Sequence, residues 1–149
     1  MSIESIYDAI DAQLETFGTA GGGTFQGVVA VMNVTVVPVA GAPYIVSQMI
    51  AYTRRALTLG RDKGFAPGGY VAEHKGIYQI EAVIPQDAGR PIATQLQTRL
   101  LALFPRGTTL TGSDGQQVNF DAPTPMPLIT QEGWVRAPCQ FPWYSFEAS

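Results

Sequence analysis

Apolar residues at the start of the chain, Ile3, Ile6, Tyr7, Ile10, Leu14 and Phe17, recur at three- and four-residue spacing. That spacing is the period of one helix face, and Ser2 stands where a capping hydroxyl would, so residues 2–17 are predicted to form an amphipathic helix. Its opposite face carries Glu4, Asp8, Asp11 and Glu15 without a base. Gly18 to Gly27, with Gly21-Gly22-Gly23 at its centre, then ends the helix and predicts a flexible connection.

The period next shortens to two. Val28 to Val37 is rich in β-branched residues and bounded by glycine and Pro38, which predicts a strand buried on both faces. Tyr44 to Leu59 predicts one long strand, with Tyr44, Val46, Gln48, Ile50 and Tyr52 on one face and Ile45, Met49 and Ala51 on the other; Ser47 to Leu59 also admits a helical reading, against which the β-branched and aromatic content near the start weighs. Residues 60–75 hold four glycines, a proline and mixed charges without a period, and are expected to form a long flexible loop. Gly76 to Pro85 alternates again, placing Tyr78, Ile80, Ala82 and Ile84 on an apolar face.

A second helix is predicted from Gly89 to Phe104, with Pro91 in its first turn and Ile92, Leu96, Leu100, Leu103 and Phe104 as the core stripe. Pro105-Arg106-Gly107 stops it. Short strands at 108–111 and 116–120 flank Gly112-Ser113-Asp114-Gly115, whose Asp-Gly step signals a hairpin. After the proline-rich run Ala122 to Pro127 and a short segment at 128–130 comes a last, aromatic strand, Trp134 to Phe146. Pro138 and Pro142 lack a ladder donor, which places that strand at a sheet edge or makes it bulge. The sum is one α+β domain spanning residues 1–149, a mostly antiparallel sheet with two helices packed on one face.

Composition changes this picture in one respect. The 149 residues are 46% hydrophobic but only 14% charged, with 15 aromatics (2 Trp, 6 Tyr, 7 Phe) and a mean hydropathy of +0.08. Ordinary domains carry about 25% charged residues. So little charge suits a surface that partners cover. The net charge of -3 excludes a generally basic nucleic-acid binder. Its distribution is uneven: the first 53 residues contain no Lys or Arg, whereas residues 54–106 hold eight bases against four acids. Cys139 is alone, which excludes a disulfide framework or a CxxC pair and suits a reducing compartment. No stretch approaches the about 20 apolar residues of a membrane-spanning helix, so a membrane role is not expected.

Catalytic chemistry finds little to work with. His74 is the only histidine and is expected at the surface of the 60–75 loop, with Glu73 beside it and no third metal ligand in range. The glycine runs match neither GxxxxGK[ST] nor a strand-GxGxxG-helix unit, and no serine sits in a nucleophile elbow. No enzyme, no cofactor and no metal is expected. The one local concentration of cations, Arg54, Arg55, Arg61, Lys63 and Lys75 with His74, is interleaved with Phe65 and Tyr70. These eight residues are the candidate interface. They could meet phosphates of passing DNA without sequence preference, or the acidic helix face of a neighbouring copy.

The order of these pieces resembles the tail terminator (tail completion) proteins of long-tailed bacteriophages. The resemblance is carried by the helix Ile3 to Phe17, Gly41-Ala42-Pro43-Tyr44 leading into the long strand, and Gly76-Ile77-Tyr78-Gln79-Ile80. It continues through Leu103-Phe104-Pro105-Arg106-Gly107 and Gly133-Trp134-Val135-Arg136-Ala137-Pro138, and so spans nearly the whole chain. It implies a structural virion protein, assembled in the bacterial host cytoplasm, whose hexameric ring caps the tail tube, ends its polymerisation and prepares the tail for head joining. The implied partners are further copies of itself, the tube protein and a head-completion or connector protein. A neck, head-tail connector or minor tail protein is the alternative within the virion. From another class, a small-ligand-binding or hydrolytic α+β domain fits the same architecture. The long Gly18–Gly27 connector departs from the family pattern.

Overall fold

The computed structural model describes residues 3–17, 28–30, 43–58, 70–86, 90–112 and 115–148. The elements are, in chain order, α1 (Ile3–Glu15), β1 (Val28–Ala30), β2 (Tyr44–Thr58), β3 (Tyr70–Pro85) and α2 (Arg90–Leu101). They continue with β4 (Thr109–Thr111), β5 (Gln117–Phe120), β6 (Thr124–Pro125), β7 (Ile129–Gln131) and β8 (Trp134–Ala148). The strands form one sheet in the order β1-β2-β3-β8-β5-β4, with β6 and β7 also pairing β8. β1 runs parallel to β2, and the other pairs are antiparallel. The Ser2 cap, the Gly18–Gly27 connector and residues 31–37 of the expected first strand lie outside the described residues.

Three long strands, β2, β3 and β8, form the backbone of the sheet. Cross-strand partners share a face, so the register assigns the faces residue by residue. Ser47↔Ile80↔Cys139 and Met49↔Tyr78↔Phe141 lie on one side; Gln48↔Gln79↔Gln140 and Val46↔Glu81↔Pro138 lie on the other. The first side is the dry one. There Ile45, Tyr78, Ile80, Ala82, Ile84, Val135, Ala137, Cys139, Phe141 and Trp143 form a cluster with Ile6, Ile10 and Leu14 of α1 and Ala93, Leu96 and Leu100 of α2. Both helices therefore cover the same face, as the alternation of apolar positions in β3 requires. α1 packs beside β4 and β5, and α2 against β8 and β3.

Polar groups inside this layer are tied down. Tyr78 Oη donates to Asp11 Oδ1 at 2.8 Å, joining β3 to α1. Burial, reinforced by the nearby Asp11 charge, pushes the Tyr78 hydroxyl far above its ordinary range. Gln97 of α2 is buried, and its Nε2 donates at 2.9 Å to the carbonyls of Met126 and Pro138. An apolar stripe that includes Ile92 is thus corrected: Ile92 is exposed, and the helix turns Ala93 and Gln97 inward instead.

Two further expectations change. β8 is neither an edge nor bulged; it pairs β3 without interruption from Val71↔Ala148 to Pro85↔Trp134. Pro138 and Pro142 are tolerated because their carbonyls accept from Met126 N and Asp121 N on the opposite edge from β3. In an extended residue the amide position points to the same edge as the carbonyl, so each missing donor faces the short, interrupted strands β5 to β7. The second change is in β2, where the register shifts between Met49 and Ala51. That bulge carries Tyr52 to the helix side, opposite Gly76, instead of leaving it on the face of Tyr44.

Candidate functional site

The β2–β3 pairing continues to Thr58↔Tyr70, so residues 70–75 are strand and the expected 60–75 loop is corrected at its C-terminal end. The alternation was hidden by the short sequence Glu73-His74-Lys75, in which the charged pair and the histidine point to opposite sides. His74 is 3% exposed, not a surface residue. Its Nδ1 is hydrogen-bonded to Tyr52 Oη at 2.5 Å, and its ring stacks on Tyr52 with centroids 5.8 Å apart. Tyr52 stacks in turn on Trp143 at 6.0 Å, whose indole N–H meets Met49 Sδ at 3.2 Å. Ser145, the strand partner of His74, is also buried and donates to Gln117 O at 2.5 Å. This continuous stack is a structural cluster that closes the end of the core.

Gly76 makes the stack feasible. A Cβ there would stand 2.7 Å from the Ala51 carbonyl oxygen and 2.7 Å from the Trp143 ring, closer than such atoms approach. The bulge in β2 and the glycine in β3 therefore fit one another. The signal for this was the glycine inside a strand-like sequence.

On the helix-free side of the same rungs lie two of the candidate cations, Arg55 and Lys75. Arg55 and Lys75 are exposed and share one carboxylate, Glu73, at 3.6 and 3.8 Å. Such exposed pairs contribute at most about 1 kcal/mol. Arg54 is exposed, but it pairs His74 and so shares the face of His74, opposite to that of Arg55 and Lys75. Tyr70 belongs to β3, while Arg61, Lys63 and Phe65 lie outside the described residues. Of the eight candidate residues, the structure thus places Arg54, Arg55, His74 and Lys75 on adjacent rungs, with Arg55 and Lys75 on the open face and Arg54 and the buried His74 on the other.

Beside Lys75 a shallow depression of about 280 Å³ is lined by Ala51, Tyr52, Thr53, Gly76, Ile77, Asp121, Pro142, Trp143 and Tyr144. Its surroundings include Phe146, 48% exposed with its ring edge-on to Tyr144 at 5.8 Å, and Ile50, the extra residue of the bulge, 42% exposed. Further along this face a polar row runs across the strands. Arg136 donates through Nε to Glu81 Oε2 at 2.9 Å, Gln79 donates to Glu81 Oε1 at 2.6 Å, and Gln140 donates to Gln79 at 3.3 Å. Glu81 is only 3% exposed, and these donors satisfy both of its oxygens. Trp134 belongs to this side as well, packed edge-on to Tyr44 at 5.6 Å.

A larger cavity, about 680 Å³, lies along the outer face of α2 between Arg90 and Arg99. Among the described residues no group of three or more His, Cys, Asp or Glu side chains could hold a metal, and no helix is long and apolar enough to cross a membrane. Burial pushes the Cys139 thiol up to about 12, which keeps it protonated and unreactive at neutral pH. What the arrangement offers is therefore surface: cations, exposed aromatics and a shallow depression on one open sheet face.

A family model described as phage tail terminator protein matches residues 5–143. Eight solved chains match, among them one at 22% sequence identity and a TM-score of 0.66 that covers 99% of this chain and 96% of its own. That likeness shows the shared fold. No curated protein matches the chain.

Proposed function

This chain belongs to the phage tail terminator family, a family of structural proteins of the tail, and from that premise we propose that copies of it form a ring on the end of the tail tube. The ring blocks addition of further tube subunits and offers the surface to which a head-completion or connector protein binds. The observation that carries this reading is the family match from residue 5 to residue 143, nearly the whole chain. The open face of the β2–β3–β8 ladder supports it, because a cap acts by contact and needs exposed surface, not a catalytic pocket. The mechanism is steric: each subunit covers the pairing surface that the next tube subunit would use.

The test is polymerisation of the cognate tube protein with and without this protein, with tube lengths measured by electron microscopy. Substoichiometric addition, about one ring per tube, is expected to shorten and narrow the length distribution and leave a ring at one end. Tubes that grow unchanged in its presence would defeat the proposal.

A further inference from the structure

Within the ring reading, we infer that the open sheet face at the Arg55–Lys75 end is the seat for the outer face of α1 from the neighbouring copy. Two patches on one protomer make a closed ring only if they differ and sit apart, so that one copy's first patch meets the next copy's second. The fold supplies such a pair. α1 lies over the β5–β4 end of the sheet, whereas Arg55 and Lys75 lie on β2 and β3, towards the other end.

The two patches match in chemistry. Glu4, Asp8, Ala12 and Glu15 are exposed at helical spacing along α1, which contains no Lys or Arg. No ion pair to Glu4, Asp8 or Glu15 is found among the described residues. Opposite them, Arg55 and Lys75 share the single carboxylate of Glu73, which leaves two exposed cations to one acid. Asp121 is the one other acid on the rim of the depression. Charge alone would give a weak contact, but here apolar surface surrounds it. The depression over Ala51 and Gly76, with Ile77, Pro142 and Tyr144 around it, has room for a side chain. Tyr7, half-buried beside the acidic stripe, is the aromatic group of α1 nearest in character to that depression. Ala12 in the middle of the stripe lets the helix lie close to the strands.

The test is charge reversal with rescue, scored by tube capping in the assay above. One full-length variant carries Glu4→Lys, Asp8→Lys and Glu15→Lys; the other carries Arg55→Glu and Lys75→Glu. Each alone is expected to cap at least about tenfold less effectively, because like charges then face each other across the contact. An equimolar mixture is expected to recover capping, since every reversed helix then meets a reversed strand pair. Thermal unfolding confirms that both variants fold; if the lysine variant does not, Glu4→Gln with Asp8→Asn and Glu15→Gln replaces it, and a smaller loss is expected. Normal capping by either reversed variant, or loss in both without recovery on mixing, overturns the inference while leaving the ring in place. Failure of the unaltered protein to cap defeats the ring reading itself.

Discussion

The β2–β3–β8 ladder shows two faces built from the same backbone, and they differ in what a substitution can reach. On the helix side every rung from Ile84↔Val135 to Gly76↔Trp143 is closed by apolar contact, and the few polar groups are bonded. On the other side the rungs carry Gln79, Gln140, Lys75, Tyr144 and Phe146, partly or largely in solvent. Stability should therefore concentrate on the first face and assembly on the second. The exceptions lie around Glu81, which with Val83 and Pro138 is buried on the open side.

The largest effect expected from this contrast is at Phe141, which is fully buried and packs edge-on to Phe104 at 5.1 Å. Phe141→Ala should lower stability by about 3–5 kcal/mol, read by chemical denaturation. Next come two sites where the contrast is strained. Gly76→Ala should cost about 1–3 kcal/mol, since neither the Ala51 carbonyl nor the Trp143 ring can yield without moving a strand. Arg136→Met should cost about 1–3 kcal/mol by leaving the Glu81 carboxylate buried without the Nε and Nη2 donors that meet its Oε2. A neutral result at Arg136 would mean that the open face carries no stability even at its buried centre.

A smaller effect should appear with pH. Unfolded, Cys139 and Tyr78 release protons near their ordinary values of 9.0 and 10.0; folded, Cys139 holds its proton to about 12 and Tyr78 beyond that. Above about pH 9 the unfolded chain thus binds fewer protons than the folded one, so stability falls as pH rises. Thermal melts from pH 7 to 11 should show the decline, and Cys139→Ala should remove its first part. Smallest of all, Tyr144→Ala and Phe146→Ala on the open face should change stability by under about 1 kcal/mol, measured in the same denaturation series.

The helix-covered face could be read from the sequence because burial there is one-sided and leaves a period. Ile6, Ile10 and Leu14 repeat at helical spacing, and Tyr78, Ile80, Ala82 and Ile84 alternate. Reading failed where a tertiary contact overrides local pattern. Ile92 resembles a core residue by spacing, but α2 is rotated so that Gln97 can hold two carbonyls. Prolines suggested that β8 was an edge because a sequence does not show which neighbour each strand face will meet. The bulge at Ile50 turned Tyr52 over, and one extra residue leaves no mark in an apolar run. At the candidate site, the cations were visible as composition, but their division between the two faces depended on a register that only pairing sets. His74 was misplaced for the same reason.

The strand order has a consequence for how the chain is made. β8 is the last strand in sequence, yet it sits inside the sheet, joined to β3 on one edge and to β5, β6 and β7 on the other. Its partners in β3 lie about fifty residues earlier or more, so the central ladder closes late and through contacts distant in sequence, a topology that folds slowly. On the ribosome, α1, β2 and β3 emerge first and must wait for residues 134–148 before their apolar face can close. An incomplete chain would then lack the rungs that hold β3 in register, so assembly surfaces on that strand would be presented only once synthesis had reached β8.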